Sequence, residues 1–159
     1  MKVLSRAFIT LGAVAVATAG WALFDPYGRT RAEGTSGTIL WNSQIDQGTL
    51  ELMRRACRNC HSQQTEWPWY SRIAPMSWAI ARDVQQARGH MNLSRWQDYS
   101  ADDRNRLLSE IGSSVRTGEM PVRRYLWLHP EARLTDSERQ QIYQWTRAER
   151  ARLVRKDDP

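Results

Sequence analysis

The stretch ACRNCHSQQTEWPWYSRIAPMSW, residues 56–78, holds both cysteines of the chain, Cys57 and Cys60, followed at once by His61, one of only three histidines. Shuffling those residues through a chain of 159 reproduces the array in roughly one case in several thousand. Three chemistries use such a pattern: covalent haem attachment, a redox dithiol, and zinc binding. On a helix advancing 100° per residue, Cys57, Cys60 and His61 project from one side. One planar partner then meets all three, as haem does when its vinyl groups form thioethers with the sulfurs and the imidazole reaches the iron.

The other two chemistries fit this stretch less well. Zinc wants four ligands, and adjacent residues such as Cys60 and His61 rarely chelate one ion together, while His90 and His129 have no paired spacing. A thioredoxin-like dithiol calls for a strand ahead of its motif, whereas Leu50, Met53 and Cys57 recur here at helical spacing. The expectation is one covalently held haem c per chain.

Outward from the motif the signals stay helical. A helix is expected after Pro75, carrying Trp78, Ala81, Val84 and Ala87 as far as Gly89. Another is announced by Ser100 with Asp103 and carries Leu107, Leu108, Ile111 and Val115 to a stop at Gly118. Thr135 and Glu138 form a capping box for the last, with Ile142 and Trp145 on its inner face. The length suits one core, and eight tryptophans beside two phenylalanines call for a large flat surface to pack against.

The N-terminus bears on location. Lys2 and Arg6 precede the uncharged run AFITLGAVAVATAGWALF, residues 7–24, which makes about 27 Å of helix. A retained membrane anchor competes with a signal peptide cleaved after the small residues Ala17, Thr18 and Ala19; Trp21 to Phe24 continue the apolar run and favour the anchor. The expected organisation is a signal anchor or signal peptide over residues 1–24, a linker rich in Gly, Thr and Ser over 25–40 with an extended lead-in around Ile39 to Trp41, and a folded domain over 41–159. Its expected place is the periplasmic side of a bacterial inner membrane, or free in the periplasm after cleavage. The net charge of +6 is mixed with acidic residues along the chain, so nucleic acid is not an expected partner.

A haem iron held by His61 has a second axial position. Met120, in RTGEMPVRRYLWLHP, is the best candidate, because Gly118 ends a helix just before it and Pro121 stiffens the chain after it. Met53 sits on a core stripe, Met76 and Met91 lack that loop setting, and His90 and His129 are the bis-histidine alternatives. The free ring nitrogen of His61 wants a carbonyl acceptor, with Pro75 first and Pro68 second in expectation. Trp67, Trp69, Tyr70 and Trp78 are expected around the pocket.

Three stretches in order, CRNCHSQQTEWPWYSRIAPMSW, DVQQARGHMNLSRW and GEMPVRRYLWLHPEARLTDSE, resemble the bacterial haem-binding-domain family of small c-type cytochromes. The likeness covers about residues 41–146. It implies an all-α, cytochrome c-like domain preceded by a membrane segment, with Cys57 and Cys60 holding haem, His61 as proximal ligand and Met120 as distal ligand. One departure is Asp83, where members often carry histidine; that position is not counted as a ligand. The function expected is electron transfer with redox proteins, including a membrane respiratory complex, as partners. The alternative is a peroxidase-like or ligand-sensing haem protein with a labile distal methionine, so enzymatic activity is left open.

Overall fold

In the computed structural model the described residues are Gly12, Val16, Gly20 and 38–156. The expected anchor over residues 1–24 and most of the expected linker lie outside them. Among the described residues the regular structure is entirely helical, and no helix is long and apolar enough to cross a membrane. The helices are α1 (Gln47–Ala56), α2 (Arg58–His61), α3 (Met76–His90), α4 (Ala101–Thr117), α5 (Arg123–Leu126) and α6 (Asp136–Lys156), with three short 3-10 segments between them. The chain divides into two compact units: residues 66–85 belong to one, and residues 38–65 and 86–156 to the other.

In the smaller unit, Trp69–Arg72 forms a 3-10 turn whose Ser71 backbone N–H and hydroxyl both donate to the Pro68 carbonyl, at 3.0 and 2.6 Å. The Pro75 carbonyl accepts from the N–H groups of Trp78 and Ala79, closing the first turn of α3. Ala81 and Val84 are buried as expected, but the next buried position on α3 is Arg88 rather than Ala87. That residue belongs to the larger unit, into which the helix continues.

The larger unit carries the main core. Ser100 accepts from the Asp103 N–H at 3.1 Å to start α4, and Gly118, at φ 75°, ends it in the left-handed region that glycine enters at no steric cost. Thr135 and Glu138 exchange backbone-to-side-chain bonds of 2.8 and 3.3 Å at the start of α6, the reciprocal pattern expected of them. The two long helices make the most extensive helix contact in the chain, burying Leu107, Leu108 and Val115 with Ile142 and Leu153. α1 joins α6 through Gln141 Nε2 to Thr49 Oγ1 at 3.1 Å and through an Arg55–Glu138 ion pair at 2.6 Å.

Two expectations are corrected. Residues 39–42 make a turn rather than an extended lead-in, with Leu40 at φ 57° and Asn42 at φ 66°. The reason is burial: Ile39 and Leu40 are each 2% exposed and join the core, and Leu40 N–H donates to the Leu93 carbonyl. Nor does one unbroken helix run into the motif. Cys57, at φ −121°, separates α1 from α2, although its N–H still bonds Met53 and its carbonyl still accepts from His61 N–H at 3.0 Å.

The close approach of α4 and α6 depends on Gly112. A Cβ there would lie 2.6 Å from Thr146 Oγ1, and Thr146 is 1% exposed with its hydroxyl bonded to the Tyr143 carbonyl. Gly112→Ala gains about 0.5–1 kcal/mol of helix propensity and loses about 1–3 kcal/mol to overpacking. The expected net result is a lower Tm by a few degrees, checked by thermal denaturation. Adding Thr146→Ala should recover part of the loss, which a double-mutant cycle reads directly.

Candidate functional site

One cavity of about 260 Å³, partly open, lies within the larger unit. Its wall includes Cys57 and Cys60 at the α1–α2 junction, His61 at the end of α2, and Met120 on the connection after α4. The four residues singled out in the sequence are therefore brought to one space, with Met53, Met91, Ile111 and Val115 making much of the rest apolar. The α4 carbonyl of Ser114 accepts from Met120 N–H at 3.1 Å, which fastens the methionine loop to the end of that helix.

Neither cysteine is in a disulfide. Cys57 packs against the core, with its sulfur 3.8 Å from Met53 Sδ. Burial, aided by the neighbouring Cys60, pushes its thiol up to about 12. A nucleophilic dithiol needs the opposite shift, so this environment speaks against thiol–disulfide exchange at Cys57. Among the described residues no cluster of three His, Cys, Asp or Glu side chains is arranged to hold a metal ion by itself.

His61 Nδ1 lies 3.2 Å from the Met91 carbonyl. Burial lowers the imidazole's tendency to take a proton, against the opposing pull of that carbonyl. The ring is thereby held neutral with Nδ1 as the donor, and Nε2 carries the lone pair that a metal takes. The acceptor is neither Pro75 nor Pro68. Both of those carbonyls are engaged by their own local turns, and Met91, the residue directly after α3, supplies the acceptor in their place.

Of the aromatics expected around the pocket, Trp67, Trp69, Tyr70 and Trp78 belong to the smaller unit, where Trp69 is 75% exposed. The aromatic wall residue is Tyr125, whose hydroxyl accepts from Asn59 Nδ2 at 3.0 Å, linking α5 to the middle of the cysteine motif. Its ring stacks on His129 with centroids 4.2 Å apart. His129 is not a wall residue, and its Nδ1 pairs with Glu131.

His90 does line the cavity, with Nε2 2.8 Å from Glu110 Oε2, and Glu110 is in turn bonded by Arg106. Met91 is buried and contributes its backbone carbonyl to His61 and its side chain to the wall. Met76 lies in the smaller unit and is 48% exposed. Sequence reasoning missed Met91 as an acceptor because a carbonyl has no residue signature. It also missed Arg88, although Ala81, Val84, Arg88 and Met91 keep a single helical register that places an arginine among apolar positions.

The donor set fits a haem: two thiols, a neutral imidazole with its second nitrogen anchored, a thioether, and apolar walls open on one side. A search of curated proteins and a search of solved structures returned no match. A family model described as a haem-binding domain matches residues 18–148, most of the chain and all of the cavity wall. The chain belongs to the haem-binding domain family.

Proposed function

We propose that this protein is a c-type cytochrome that carries single electrons on the periplasmic side of a bacterial inner membrane, held there by its N-terminal segment. The observation that carries the reading is the meeting of Cys57, Cys60, His61 and Met120 on one cavity wall. Haem supplies a one-electron ferric/ferrous couple. In this reading the two cysteine sulfurs hold the macrocycle by thioethers, and His61 offers Nε2 to the iron while Met91 fixes the ring. Met120 offers its sulfur from the other side, and methionine ligation favours the ferrous form. Met53, Ile111 and Val115 keep water from the buried part of the cavity, so the ligands change little between oxidation states.

Partner contact is assigned to the edge that follows Met120. Trp127 and Leu128 are 81% and 57% exposed, and Arg123 and Arg124 precede them by one helical turn each on exposed positions. An exposed tryptophan beside arginines suits a brief, salt-sensitive encounter with an acidic redox protein or a membrane respiratory complex. A second reading is favoured by the His90–Glu110 pair on the cavity wall and by the exposure of Met120: a peroxidase-like or gas-sensing site that opens when the methionine leaves.

The test is to export the full chain in a host with cytochrome c maturation and record its spectra. The carrier reading expects haem retained through acid–acetone extraction, a weak long-wavelength sulfur-to-iron band in the ferric protein, and no carbon monoxide complex in the ferrous one. A high-spin ferric spectrum with carbon monoxide binding and peroxide turnover replaces it with the second reading. Haem that extracts completely ends both c-type readings.

A further inference from the structure

Arg88 is only 8% exposed, on the α3 face that also buries Ser77, Ala81 and Val84 and is continued by Met91 just past the helix. Burying a guanidinium is costly unless its donors are satisfied, and an apolar side chain in this register avoids that cost. What the arginine adds is direction. Its Nε donates to the Ser62 carbonyl at 2.8 Å and its Nη2 to Thr65 Oγ1 at 2.9 Å. Thr65 Oγ1 in turn donates to the Asn59 carbonyl at 2.7 Å, and Ser62 Oγ to that of Arg58 at 2.8 Å. The chain over residues 59–65 is therefore gathered around one planar fork.

Arg88 itself lies in the last turn of α3, and Met91 follows that helix directly, its N–H donating to the Ala87 carbonyl at 2.9 Å. Arg88 precedes by three residues the carbonyl that accepts from His61, and it grips the carbonyl of Ser62, the residue directly after His61. Both members of the His61–Met91 bond are thus tied to Arg88, His61 through the guanidinium's bond to the next residue and Met91 through three residues of backbone. We propose that Arg88 is a positioning residue for His61, setting the direction and length of the Nδ1–H···O=C bond and, through it, the donor strength of Nε2 toward haem iron. The iron half of this statement rests on the function proposed above; the imidazole half does not.

The sign can be worked out. A well-made Nδ1–H bond raises the basicity of Nε2 and favours ferric iron. Loosening it in Arg88→Lys, which keeps the charge and loses the fork, is expected to move the ferric/ferrous equilibrium about tenfold toward ferrous, about 59 mV more positive. A purely electrostatic arginine gives another pattern: Arg88→Lys leaves the potential alone, and Arg88→Met lowers it by removing a positive charge. A purely structural one changes the Tm and neither potential. Either pattern overturns the proposal.

The experiment is a redox titration of the haem-loaded full chain with wild type, Arg88→Lys and Arg88→Met, joined by ¹⁵N spectra of the His61 ring in the haem-free chain. The ring spectra are expected to show Nδ1 protonated in wild type and a mixture of tautomers in Arg88→Lys; an unchanged tautomer there overturns the proposal. If Arg88→Lys does not fold, Thr65→Val removes one bond of the fork and is held to the same two readouts. If wild type holds no covalent haem, the function proposed above fails on its own and the ring spectra alone decide the role of Arg88.

Discussion

The Cys57→Ser, Cys60→Ser double variant is expected to lose essentially all of its pigment on acid–acetone extraction, while the unaltered chain keeps it. Both thiols line the cavity and neither is in a disulfide, so each can supply a sulfur for one thioether. Serine keeps the size of the side chain and removes the sulfur, so a loss of retention reports the bond rather than the packing. Each single variant should retain haem through the remaining link, and the two should differ in folded stability. Cys57 packs against the core beside Met53, whereas Cys60 does not belong to that cluster, so Cys57→Ser is expected to be the less stable. Haem retained covalently in the double variant would reject the attachment assignment.

Met120→His and Met120→Ala probe the other side of the proposed iron site. Replacing the thioether with imidazole is expected to lower the midpoint potential by about 0.1 V or more, within the roughly 0.8 V that axial ligands span. Alanine is expected to open a coordination position, giving a high-spin ferric spectrum and a ferrous carbon monoxide complex. The side chain is 39% exposed on a loop fastened to α4 by the Ser114 carbonyl, so shortening it should leave the helical core intact. Far-UV circular dichroism checks that point. A potential and spectrum unchanged in both variants would show that Met120 is not the distal ligand, and His90, the other histidine on the wall, would become the residue to replace next.

The parts of this molecule that could be read from residue order are those decided locally. Ser100 with Asp103, Gly118, and Thr135 with Glu138 are helix-end chemistry within three or four residues: the side chains bond the first turns, and the glycine, lacking a Cβ, takes the left-handed backbone that ends α4. The cysteine motif was legible for the same reason, its three members lying within five residues. What escaped were choices made by distant partners. Ile39 and Leu40 turn rather than extend because a core assembled mostly from later segments takes them in. The acceptor for His61 comes from Met91, thirty residues on, through a backbone oxygen that every residue possesses. Pro75 and Pro68 were reasonable candidates by proximity to the motif, but their own turns had first claim on their carbonyls.

The connection that carries Met120, residues 118–135, joins α4 to α6, the two helices whose apolar faces meet in the core. Contacts of that kind are closer in sequence than those that tie the motif helix to α6. The links from α1 to α6 span 92 residues for Thr49 with Gln141 and 83 for Arg55 with Glu138. Synthesis proceeds from the N-terminus, so Cys57 and Cys60 emerge well before the second helix of that pair exists. The α4 and α5 residues of the cavity wall, and Met120 between them, all follow the motif in the chain and are made after both thiols. Pairing of the last helix with α4 ties down both ends of the connection that carries Met120, so that one helix contact completes the methionine side of the cavity.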